Sequence, residues 1–185
     1  MGEGPGERAK EISERSTDLS QIQVGPLPGT AAEAEAIGPL LPNATILTET
    51  DATENALKQV QAPRILHIAT HGFFLQDVER PDLNSRNIGT DGTDGFLPQP
   101  VGIPIENPLL RSGLALAGFN TRSSGNEDGV LTALEAANLN LFGTQLVVLS
   151  ACETGLGDIA NGEGVYGLRR AFALAGAETQ LMSLW

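Results

Sequence analysis

Apolar positions in this chain fall into two patterns, short unbroken runs and stripes at helical spacing. From Thr30, TAAEAEAIGPLLP sets Glu33 three residues after a capping threonine and follows it with an apolar stripe. That predicts a helix, ended or kinked at Pro39. ATILTE (44–49) is a short β-branched run, and ATENALKQVQ (52–61) predicts a capped helix. RILHIATH (64–71) has little polar alternation, as in a strand buried on both faces. GLALAGF (113–119), TQLVVLSA (144–151) and TQLMSLW (179–185) predict further strands, while TALEAANLN (132–140) and VYGLRRAFALAG (165–176) predict helices. Strands alternating with helices at this spacing predict parallel β-α-β units and an α/β sandwich. The pattern breaks in two long polar stretches, Gly72 to Pro108 and the Gly-rich CETGLGDIANGEG. A loop as long as Gly72 to Pro108 is expected to be functional or disordered.

Composition narrows the class. At 185 residues, 41% apolar and 18% charged, the chain has room for one domain with a real core. Residues 1–29 are rich in Gly, Pro, Ser and charge, and predict a flexible lead-in before a domain at 30–185. Acids outnumber bases 23 to 11, for a formal charge of −12. So acidic a surface repels a phosphate backbone, which argues against nucleic acid as a partner. No apolar run reaches the ~18–20 residues of a membrane span, and the start lacks a signal-peptide pattern, so a cytoplasmic protein without membrane contact is expected. The single cysteine excludes an internal disulfide and a cysteine-rich zinc site.

Chemistry concentrates at two strand ends. His71 closes RILHIATH and Cys152 follows TQLVVLSA, and in open α/β sheets sites form at the carboxyl ends of parallel strands. Adjacent strands lie only ~4.8 Å apart, so such ends can set an imidazole against a thiol. A free thiol, with a pKa of about 8.5, is mostly protonated at neutral pH, and an imidazole can take its proton. Gly72 permits a sharp turn and a backbone N–H for an oxyanion, and Gly155 and Gly157 leave the far side of the thiol open. This suits acyl transfer, above all peptide-bond hydrolysis. The plainer alternative is a buried, inert cysteine beside a structural histidine.

Other motifs weigh less. The H-x-x-x-H spacing of His67 and His71 lies in a strand, where the side chains stand ~13 Å apart, too far for one metal. His67 is expected to be hydrogen-bonded under a covering helix. GEGVYG (162–167) matches G-x-G-x-x-G, but some ten residues separate it from the preceding strand, and Glu163 stands where a pyrophosphate would approach. Asp91 and Asp94 lack the spacing of a calcium loop. No cofactor and no metal are expected.

Taken together, HIATHGFF, NPLLRSGLALAG, DGVLTALEAANLNL, QLVVLSACETGLG, GEGVYGLRRAFALAGA and LMSLW resemble the CHAT domain, a caspase-like domain often fused to tetratricopeptide repeats in bacteria. The resemblance runs from about Leu27 to Trp185. It implies a three-layer caspase-hemoglobinase sandwich with a mainly parallel sheet, and a cysteine-peptidase dyad of His71 and Cys152. It also implies oxyanion donation by the backbone N–H groups of Gly72 and Cys152. The segment 113–119 would then belong to a small hairpin between the histidine strand and the helix before the cysteine strand. Related separases select a basic residue through an acidic pocket, a role that would fall to Glu153 and Asp158. The implied partners are a protein or peptide substrate and a tetratricopeptide-repeat region, in the same chain or another.

CHAT domains continue past SLW with a further helix and strand, and have a first strand upstream. On that footing the sandwich is expected to be incomplete at both ends, and the 185-residue piece inactive as a peptidase and prone to self-association. The competing reading from a different class is a catalytically silent caspase-like scaffold or signalling domain, for which nothing requires both His71 and Cys152.

Overall fold

RILHIATH, the run with least polar alternation, forms the middle of the sheet. The computed structural model describes residues 22–75, 108–153 and 163–183. Strand β1 (Ile65–Phe74) pairs in parallel with β4 (Leu146–Glu153), and antiparallel with β2 (Ser112–Ala115). Beyond them lie β3 (Val130–Thr132), antiparallel to β2, and β5 (Gln180–Met182), parallel to β4. The order is β3-β2-β1-β4-β5, a mostly parallel five-stranded sheet in an α/β fold. The β2–β3 unit is the hairpin that the resemblance implies between the histidine strand and the helix preceding the cysteine strand.

Alternation along β1 divides the packing between two faces. Leu66 and Ile68 join Leu114, Leu131, Val147 and Leu149 in the larger apolar cluster. It is closed by α4 (Glu163–Leu174), whose Leu168, Ala171 and Phe172, followed by Ala175, recur at helical spacing. Full burial of each large side chain is worth roughly 1.5–3 kcal/mol, so this face carries most of the stability. The opposite face holds a smaller cluster of Ile22, Phe73, Ala115, Phe119 and Val130. Gly113 lets the Phe73 ring lie over β2, since a Cβ there would come 2.6 Å from that ring. Ile22 therefore packs on the sheet although it precedes the first predicted element. Among the described residues no helix is long and apolar enough to cross a membrane.

Helix α1 (Pro28–Ile37) starts earlier than predicted. Pro28 opens it, Leu27 is the cap residue, and the Thr30 hydroxyl donates to the Leu27 carbonyl (2.8 Å) instead of capping. It gives way at Gly38–Leu40, around Pro39 as expected. Helix α2 (Glu54–Lys58) is capped by Thr53, whose hydroxyl accepts from Ala56 N–H (3.1 Å). Helix α3 (Ala133–Ala136) begins with a capping box between Thr132 and Glu135. The β-branched run at 44–49 does not form a strand. Ile46 and Leu47 stay about half exposed there, because β propensity without a neighbouring strand leaves backbone groups to water.

Candidate functional site

Strands β1 and β4 run in step from Ile65 opposite Leu146 to Gly72 opposite Glu153. His71 and Cys152 are partners on the next-to-last rung of that pairing. Parallel neighbours lie ~4.8 Å apart, so the two backbones are adjacent at the carboxyl end of the parallel unit. Contrary to the expectation from sequence, His71 does not end its strand. β1 continues to Phe74 because β2 takes over as partner, with Ala115 opposite His71 and Leu114 opposite Gly72. Gly72 is thus flanked by strands on both sides, Leu114 and Glu153 being its partners. The sharp turn expected directly at Gly72 is absent.

The imidazole of His71 is held from the segment before α1. Its Nε2 lies 2.7 Å from the Gly25 carbonyl oxygen. A carbonyl only accepts, so Nε2 carries the proton. In the neutral ring this leaves the lone pair on Nδ1, which is buried and has no hydrogen-bond partner among the described residues. The arrangement matches a general base whose other nitrogen is fixed by a third group. His67, four residues earlier, instead bonds through Nε2 to Glu33 Oε1 of α1 (2.9 Å). That is the structural histidine under a helix that the sequence suggested.

Two further contacts went unread in the sequence. Asn120 bonds both main-chain groups of Val24, receiving its N–H on Oδ1 (2.9 Å) and donating from Nδ2 to its carbonyl (2.8 Å). On the cysteine side, Ala151 N–H donates to Ser183 Oγ (3.1 Å), and that hydroxyl lies 3.2 Å from the Ala151 carbonyl. The residue before Cys152 is thereby tied to the chain leaving β5.

The segment bearing Asn120 is anchored from below by charge. Glu54, wholly buried, accepts from Gly129 N–H (2.8 Å), while its own N–H donates to Ser124 Oγ (2.9 Å). The carboxylates of Glu54, Glu127 and Glu135 converge within 4.8 Å of one another, a set able to hold a cation. The cation they hold is the Lys58 ammonium, 2.7, 3.0 and 2.9 Å from the three. Burial raises the Glu54 carboxyl to about 7, with Glu135 adding to the rise and the Lys58 hydrogen bond opposing it. For Lys58, burial favours the neutral amine, but the carboxylates of Glu135 and Glu54 outweigh it and hold the group well above its usual range.

Of the other sequence-predicted residues, Glu153 is placed only by its register opposite Gly72. Asp158, Gly155, Gly157, Asp91 and Asp94 lie outside the described residues, as does the start of GEGVYG. A family model described as CHAT domain matches residues 6–185. No curated protein and no solved structure matches the chain.

Proposed function

The chain belongs to the CHAT domain family, of caspase-like peptidase type, and on that footing we propose that it acts as a cysteine endopeptidase on protein substrates. The observation that carries the reading is the shared rung of His71 and Cys152 at the end of the parallel β1–β4 pairing. In the proposed reaction His71 takes the Cys152 proton and the thiolate sulfur bonds to the scissile carbonyl carbon. The C–N bond then breaks as the imidazolium returns its proton to the leaving amine. Water, deprotonated by the same imidazole, cleaves the thioester, giving a carboxylic acid and restoring the thiol. The Gly25 carbonyl supports this by reserving Nε2, so that Nδ1 is the basic nitrogen.

Of the two backbone N–H groups that the resemblance implies as oxyanion donors, that of Cys152 is the proposed one, because β2 and β4 flank Gly72 on both sides. Glu153 and Asp158 are the proposed selectors of a basic side chain before the cut. A tetratricopeptide-repeat region, in this protein or a partner, is the proposed regulator. The test is to express the full protein, C152A and H71A in matched cells and sequence the new protein N-termini. Termini that appear with the parent and vanish in both variants are expected. The same termini in C152A would overturn the mechanism, and partner binding without any cleavage would point to the scaffold reading.

A further inference from the structure

We propose that Asn120 is a positioning residue for His71, acting through the main chain of Val24 and Gly25. The proposal deepens the peptidase reading and rests on it for its catalytic consequence. His71 is oriented by a carbonyl on a segment outside the sheet, so the imidazole is only as well placed as that segment. Two features locate it. Ile22 is buried among Phe73, Ala115, Phe119 and Val130, which fixes one end. Asn120 then grips Val24 by both its N–H and its carbonyl, one residue before Gly25. A primary amide is the side chain that can both accept and donate in this way, as a neighbouring strand does.

The clamp is itself referenced to β1. Asn120 follows Phe119, whose ring lies 6.2 Å from that of Phe73, and Phe73 stands two residues after His71 on the same face of β1. The Arg122 guanidinium covers the Phe119 ring at 4.2 Å. Gly118 holds the preceding turn at φ 87°, where a Cβ would fall 1.8 Å from the Ser123 carbonyl oxygen. The path from β1 through Phe73, Phe119, Asn120 and Val24 to Gly25 therefore closes on the ring nitrogen of His71. Asn120 is exposed and contributes nothing to the apolar core, so its two bonds to Val24 are the role the fold gives it.

The test uses the full protein labelled with ¹⁵N-histidine. H67N and H71N variants assign the signals of this chain's two histidines by difference. At a pH where the ring is neutral, the parent is expected to give an Nε2–H signature for His71. N120A should move it toward a tautomer mixture, and should slow iodoacetamide alkylation of Cys152 by about tenfold, as expected when a catalytic group loses its fixed geometry. N120D keeps the acceptor for Val24 N–H, loses the donor, and should fall between the two. It also serves if N120A does not fold. Unmoved His71 nitrogen signals in both variants overturn the proposal, whatever happens to alkylation, because a merely structural loss would leave the tautomer as it was. Moved signals with parental alkylation overturn it as well. Failure of the parent to cleave any protein would sink the peptidase reading while leaving both readouts valid.

Discussion

His71 and Cys152 are register partners on one rung of a parallel strand pair that ends a single rung later, at Gly72 and Glu153. The same fold that brings the strands into step turns the imidazole by a bond from Nε2 to the Gly25 carbonyl. Position and tautomer are thus set by different parts of the chain, and each can be disturbed without the other.

The thiol should report the imidazole directly. With one cysteine in the chain, alkylation followed by mass spectrometry reads a single site. Cys152 is expected to react at pH 7 faster than a free cysteine, whose pKa is about 8.5. In H71A the pH–rate curve should return to that of a free thiol. Parent and H71A curves that coincide would remove the dyad.

His67 offers the contrasting variant. Its bond to Glu33 ties α1 to β1, and both side chains are partly solvated. H67A should cost about 1 kcal/mol, read as a lower midpoint in urea, and leave the Cys152 alkylation rate unchanged. A loss of reactivity at unchanged stability would mean that His67 takes part in the chemistry.

The parts of the fold legible in the sequence are those decided locally. RILHIATH and TQLVVLSA became neighbouring parallel strands as their apolar runs predict, but only one face of each is fully covered: Leu66, Ile68, Val147 and Leu149 are buried, while Ile65 is exposed and His67 and Val148 are half-buried. ATILTE misled because a strand also needs a partner, and 44–48 has none among the described residues. The third group on His71 was invisible for another reason. It is a backbone carbonyl, which any residue supplies, held by an asparagine 96 positions from the residue it grips.

On the cysteine side, Ser183 is expected to govern one amide. Its hydroxyl is the acceptor for Ala151 N–H, whereas the bond from Ser183 N–H to the Leu149 carbonyl is main chain to main chain. In S183A the Ala151 amide should therefore exchange with solvent deuterium faster, with a stability loss of about 1 kcal/mol. Unaltered exchange at Ala151 would mean that the hydroxyl does not hold the backbone before Cys152.

The last expectation concerns pH and runs opposite to ordinary acid denaturation. Glu54 has a carboxyl raised from 4.5 to about 7, chiefly by burial, with the Glu135 carboxylate adding to the rise and Lys58 only partly opposing it. The folded state then binds more protons than the unfolded chain between those values, so stability falls as pH rises. The contribution is complete below about 4.5 and is lost as pH passes about 7. At 1.36 kcal/mol per pKa unit its ceiling is about 3 kcal/mol. Urea midpoints of the parent should decline between pH 5 and pH 8, and E54Q, which cannot ionise, should lose most of that slope. K58M should cost about 3–5 kcal/mol at pH 8, where it strands charged carboxylates, and less at pH 5, where Glu54 is already neutral. A parent and E54Q with parallel pH profiles would show that Glu54 stays ionised throughout, and that Lys58 alone satisfies the cluster.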